Sequence, residues 1–357
     1  MRLLILVFLV FQSYLLAKEP LAAFKLDSLW YVIDNEGNTL IGGLNIKSID
    51  AYSEGFFLIR LDIDGKSQRG FMTKNGKVAL VEYDELKPFK EGMAIIGKKI
   101  NITNDSSITY YGYINSKGEV IIKPQYIEAF DFSESLAWVM NNEKRGYINK
   151  KGHLVIEYKG TDGFGNSFSE GYASFVNDSA KFGYINKNGD IVIDFLFDEA
   201  GDFREGLARV NNLGFWGFIN KQGKLVVKYS YDFASDFYGG FAFVGIPDSI
   251  SYKPLWSLIS KTGARMFDFK YIDFRDFSEG LAAVCEDYKW KYIDPQDNQI
   301  INEYYDLAEQ FRDGLAFVRN KNKEITGYIN PLGELIIKIP EQATEIIDLR
   351  LNKKVKL

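Results

Sequence analysis

The sequence predicts an all-β protein, a tandem array of about nine β-meander units of 34–42 residues each. Three observations carry this expectation. A hairpin motif recurs along the chain, a second motif alternates with it in register, and no long helical periodicity appears anywhere. One such unit cannot bury its own aromatic face, so neighbours must pack on one another. A β-propeller-like toroid is the favoured closure, and an open solenoid of stacked hairpins is the alternative.

The hairpin motif is clearest at Gly146-Tyr147-Ile148-Asn149-Lys150-Lys151-Gly152, Gly183 to Gly189 and Gly217 to Gly223. Gly112 to Gly118 and Gly327 to Gly333 match it, and Gly70 to Gly76 is a looser copy. Degenerate copies begin at Tyr31, Ser257 and Lys291. An aromatic and an Ile in a short alternating run suit a half-buried strand. Asn next can bond its own backbone two residues on and start a turn. The closing Gly then supplies the positive φ of a type I turn with a following bulge. Gly76, Gly118, Gly152, Gly189, Gly223, Gly263 and Gly333 are read as these turn residues, with Gly37 earlier and Asp297 as the exception. An apolar strand follows, as in Val120-Ile121-Ile122.

The second motif reads Phe168-Ser169-Glu170-Gly171-Tyr172-Ala173, Phe203-Arg204-Glu205-Gly206-Leu207-Ala208 and Phe277-Ser278-Glu279-Gly280-Leu281-Ala282. Matching copies start at Tyr52, Phe89, Phe132, Phe237 and Phe311. It predicts a tight turn followed by another strand. A further aromatic, such as Tyr126, Phe197 or Tyr305, lies six residues before the motif Phe. The first unit lacks its upstream segment, and the β-like tail Ala343 to Leu349 is placed to supply it. The chain is therefore divided into a signal peptide (1–17), a single repeat domain (18–342) and a C-terminal tail (343–357) that closes the array.

Composition excludes several function classes. Aromatics make up 15% and charged residues 25%, a globular balance and not a disordered one. His153 and Cys285 are the only residues of their types, so no Cys/His zinc site and no disulfide framework can form within one chain. Cys285 reads as a small buried hydrophobe, with an intermolecular disulfide as the alternative. Net charge is -5, against the basic footprint of a nucleic-acid binder. No phosphate-binding Gly loop, nucleophile elbow or zinc-protease motif occurs. No catalytic residue, metal or cofactor is assigned.

Met1-Arg2, the apolar run Leu3 to Val10 and Ala17 before Lys18-Glu19-Pro20 form a secretory pattern, with cleavage expected after Ala17. This implies export to the periplasm, the cell envelope or the outside, with no transmembrane span once the signal is removed. An uncleaved anchor is the alternative.

The repeat resembles the WG-repeat family, whose bacterial members carry tandem Trp-Gly or Lys-Trp-Gly hairpins. The resemblance covers about residues 21–338. The literal pair survives at Trp216-Gly217, while Trp30, Trp256 and Trp290 keep the aromatic and lose the Gly. The resemblance implies a repeat scaffold used for binding, with no catalytic residues to carry over.

Within that scaffold, the turn glutamates Glu54, Glu91, Glu134, Glu170, Glu205 and Glu279 are read as capping backbone N–H groups in their own turns. An acidic ring is the alternative. Lys117, Lys150, Lys151, Lys187, Lys221 and Lys261 are read as solvated turn residues, with a basic rim as the alternative. Consensus aromatics are assigned to the core. The non-consensus Tyr110, Tyr238 and Tyr252 are the ligand candidates, and the variable links 98–109 and 247–254 are the specificity elements. The function expected is an exported, non-enzymatic scaffold that binds a protein partner. A glycan or cell-wall-binding module is the first alternative and a two-carboxylate hydrolase the second.

Overall fold

The computed structural model describes residues 19–103, 105–250 and 253–355. The expected signal segment and Tyr252 lie outside these residues. The described chain forms nine small antiparallel sheets arranged in a ring, a nine-bladed β-propeller. Taken in order, blades 2 to 9 occupy 48–81, 85–126, 128–157, 164–197, 199–231, 233–260, 273–293 and 307–338. Blade 1 is shared by the two ends of the chain. Its strands Pro20–Leu26, Leu29–Asp34 and Thr39–Leu44 are joined by Glu345–Asp348, which pairs with the first strand from Ala22↔Asp348 to Lys25↔Glu345. Lys353–Val355 adds a fifth strand to this sheet.

Each standard blade is a meander of strands a to d. In blade 4 these are Glu128–Ala129, Leu136–Met140, Arg145–Asn149 and Leu154–Glu157. The c–d turn forms as its chemistry dictates. Asn149 Oδ1 accepts the Lys151 and His153 amides at 3.0 and 3.1 Å, and Gly152 sits at φ 81°. The other closing glycines 76, 118, 189, 223, 263 and 333 lie between φ 74° and 87°, and Asp297 accepts the same region at φ 69°.

The Gly that opens each hairpin has a different purpose. A Cβ on Gly217 would lie 2.6 Å from the Val227 carbonyl oxygen, and one on Gly146 would lie 2.0 Å from that of Ile156. Bare backbone here lets strand d close onto strand c. Where the position is Ser257 or Lys291, strand d is missing and only isolated bridges remain, so blades 7 and 8 have three strands. Blade 1 carries Tyr31 there and compensates on the facing strand, where Gly42 and Gly43 stand in place of pairs such as Glu157-Tyr158, Asp194-Phe195 and Lys228-Tyr229.

The core lies between blades. One cluster joins Ile95, Tyr113 and Ile122 of blade 3 to Phe132, Val139 and Ile148 of blade 4. The consensus tyrosines also tie neighbours together by hydrogen bonds. The hydroxyls of Tyr113, Tyr147, Tyr184 and Tyr292 donate to the carbonyls of Phe130, Asn166, Gly201 and Glu309 at 2.7–2.8 Å. Burying an aromatic body while its hydroxyl finds a carbonyl suits these positions. Cys285 is buried, which places its sulfur away from other molecules.

Two sequence expectations are corrected. The turn glutamates do not cap their own turns. Each reaches the next blade's a–b turn: Glu54 to Gly92 N at 2.8 Å, Glu91 to Ser135 N at 2.9 Å, Glu170 to Gly206 N at 3.0 Å and Glu205 to Gly240 N at 2.9 Å. Four of the hairpin lysines are engaged as well. Lys150, Lys187, Lys221 and Lys261 pair with Glu91, Glu134, Glu170 and Glu205 of the preceding blade at 2.8–3.1 Å. The result is neither an acidic ring nor a basic rim. It is a repeated Glu–Lys clasp across blade joints.

Candidate binding cleft

A meander alternates its connections between two ends. All a–b and c–d turns therefore lie on one face, and all b–c loops and d–a links on the other. The first face carries the four Glu–Lys clasps, at the joints from blade 3 to blade 7. The second carries the irregular segments, including both long links singled out in the sequence and the insertion around Gly160-Thr161-Asp162-Gly163.

The joint between blades 2 and 3 departs from the rest, and register is the cause. In blade 3 strand d pairs Ile114 with Val120 and Tyr113 with Ile122, so a bulge separates the two partners. Blades 5 and 6 share that shift. It turns the third aliphatic of strand d inward, where Ile122 fills the space beside Gly152 of the next blade. Blade 2 pairs Met72↔Val78, Phe71↔Ala79 and Gly70↔Leu80 without any bulge. Without it, Leu80 turns outward and is 46% exposed. A one-residue slip reverses every side chain beyond it. Nothing lies within 4 Å of a Cβ built on Gly118, whereas one on Gly152 would be 3.1 Å from Ile122. A hollow of about 220 Å³ results, lined by Phe56, Phe71, Ala79, Phe89 and Gly118.

Two larger hollows of about 520 and 650 Å³ adjoin it. The first is walled by Ser67, Gln68, Arg69, Asp84 and Lys98, the second by Ile100, Tyr110, Val120, Lys123 and Pro124. Glu82, Tyr83 and Lys98 line both, so the hollows form one cleft. The b–c hairpin of blade 3 builds its overhang. Its strands Met93–Asn101 and Ser107–Asn115 stay paired from Met93↔Asn115 to Asn101↔Ser107. Arg69 also borders a hollow of about 550 Å³ formed by the inner strands of blades 1, 2 and 3, which holds the Arg60–Asp50 pair at 2.7 Å.

Elsewhere, the inner ends of blades 4, 6 and 8 carry Asp131, Asp202 and Asp276, whose carboxyls are raised chiefly by burial. Asp236 adds to the effect at Asp276, which is pushed up to about 6. Arg209 binds Asp236 at 2.8 Å and Arg275 binds Glu309 at 3.0 Å, so this region is a mixed network. Among the described residues no cluster of three or more His, Cys, Asp and Glu is placed to hold a metal ion. No helix among them is long and apolar enough to cross a membrane.

The ligand candidates do not converge. Tyr110 lines the cleft. Tyr238 belongs to the a–b turn of blade 7 on the clasped face, with the Arg204 guanidinium 6.0 Å from its ring. Arg69, Tyr83 and Lys123 were missed in the sequence. The sequence carries no signal for them, because the absence of a bulge in Val78–Val81 shows only in its pairing.

Seven stretches, 70–99, 111–144, 146–179, 182–214, 216–246, 256–290 and 292–323, match the model of the WG containing repeat. No curated protein matches the chain. A solved eukaryotic initiation factor covers 89% of the chain over 95% of its own length, at 10% identity and a TM-score of 0.56. BamB from Moraxella catarrhalis covers 76% of the chain over 92% of its own length, at 10% identity and a TM-score of 0.45. At 10% identity the likeness to the initiation factor is one of fold alone. The seven matches span more than half of the chain, which therefore belongs to the WG containing repeat family.

Proposed function

We propose that the protein is an exported, non-enzymatic scaffold that docks a protein partner on its b–c loop face. One observation carries the reading. Consecutive hairpin tips of blades 6, 7 and 8 hold out Leu213, Ile250 and Tyr288, which are 84%, 87% and 77% exposed. Large apolar side chains held in water at adjacent tips favour burial against a partner. On the clasped face, Leu332 is the turn aliphatic of comparable exposure among the described residues, at 79%. The basic and apolar N-terminus supports export, which cell fractionation and N-terminal sequencing of the mature chain would check.

The test compares residues 18–357 with a Leu213→Ser, Ile250→Ser, Tyr288→Ser variant as bait for solubilised envelope proteins. A saturable partner retained by the parent and lost by the equally stable variant supports the reading. Equal retention by both sinks it.

A further inference from the structure

We propose that the cleft between blades 2 and 3 is a binding site for an acidic oligosaccharide. The cleft opens on the same b–c loop face as the docking tips, but at blades 2 and 3 and not at blades 6 to 8, and it shares no residue with them, so the two proposals hold or fail independently.

Among the described residues Val78–Val81 is the one outer strand that pairs without a bulge, and the cleft lies at its joint with blade 3. Its two outer hollows lie in the range of ligand sites. Its chemistry differs from that of the clasp, where lysines are matched with glutamates. Arg69, Lys98 and Lys123 make no ion pair with any carboxylate among the described residues, and Arg69 is half-buried. Of the two carboxylates present, Asp84 already accepts the Lys99 amide at 2.7 Å, and Glu82, which lines both hollows, is exposed. A half-buried guanidinium without an anion is unfavourable, and a bound carboxylate removes the deficit.

The remaining walls suit a sugar chain. Tyr83 and Tyr110 are half-buried and offer ring faces without any hydrogen bond from their hydroxyls to another described residue. Ser67 and Gln68 add side-chain donors and acceptors that are likewise unengaged. Aromatic faces fringed by unpaired donors fit a flat, hydroxylated ring, and cations at both ends fit its carboxylates. A protein anchor would instead favour a deep apolar socket. The gap beside Gly118 lies deeper in the joint, beyond the two outer hollows.

Titration calorimetry on the full mature chain tests this, using a galacturonate hexamer, a heparin-derived hexamer and neutral cellohexaose. At least one acidic oligomer is expected to bind and to weaken as salt is raised. Lys98→Glu with Lys123→Glu should weaken it about tenfold or more, as should Tyr110→Ala, at an unchanged melting temperature. Leu213→Ser should leave it unaltered. Absence of binding by both acidic oligomers overturns the proposal. So does cellohexaose binding as tightly, or affinity that survives the cleft substitutions.

Discussion

A Cβ at the residue that opens the hairpin works against the outer strand unless the facing strand gives way, as it does opposite Tyr31. Gly217→Ala would place a carbon against the Val227 carbonyl, and overpacking of this kind costs about 1–3 kcal/mol. The expected outcome is a lower urea midpoint, with hydrogen exchange rising first in Leu225–Tyr231. An unchanged midpoint would contradict the account of the Trp-Gly pair. Asp276 makes a second residue-scale prediction. Burial and Asp236 raise its carboxyl to about 6, above the ordinary 3.8. The native state therefore holds this proton more tightly than the unfolded chain, and stability falls as pH rises through the folded pKa. Asp276→Asn should stabilise the protein above pH 6 by up to about 2–3 kcal/mol, and the advantage should vanish below about pH 4. Melting temperatures across that range check both the sign and the window. Turn residues were legible at this scale because Asn149 and Gly152 act within their own hairpin. The Cβ-free approach of Gly217 was not, since the carbonyl it admits belongs to a strand whose register the sequence leaves open.

Joints between blades are held by paired elements of modest strength. At Glu170, burial opposes ionisation, but Lys221 and the Gly206 amide together hold its carboxyl below the usual 4.5. A depressed folded pKa contributes stability above the unfolded value, and that contribution is lost as pH falls through the folded one. Each partner is about one-third exposed and screened by solvent, so Glu170→Gln should cost only about 0.5–1 kcal/mol at neutral pH. The parent's advantage should disappear under acid, which chemical denaturation at the two pH values would show. These clasps escaped sequence reading for a physical reason. A Glu beside a turn can cap its own N–H or a neighbour's, and Glu54 chooses Gly92 in the next unit. The cleft escaped for a related one, since Val78-Ala79-Leu80 reads like any other repeat strand until pairing shows that its bulge is missing.

At the scale of the whole molecule, the array was legible because its period, turns and aromatics agree at every level. Closure is what turns an array into a ring. The seam packs Leu21 and Phe24 against Ile346, Val355 and Phe317, so the two ends of the chain share one core cluster with blade 9. Removing residues 343–357 should open that cluster and lower the melting temperature by roughly 10 °C or more. The most direct measurement is a cross-link at the seam. Lys25 and Glu345 are strand partners, and antiparallel partners lie within disulfide reach. In a Cys285→Ala background, Lys25→Cys with Glu345→Cys should form an intramolecular disulfide in the monomer under mild oxidation. Thiols that stay free, or that cross-link only between molecules, would contradict the closed nine-bladed ring.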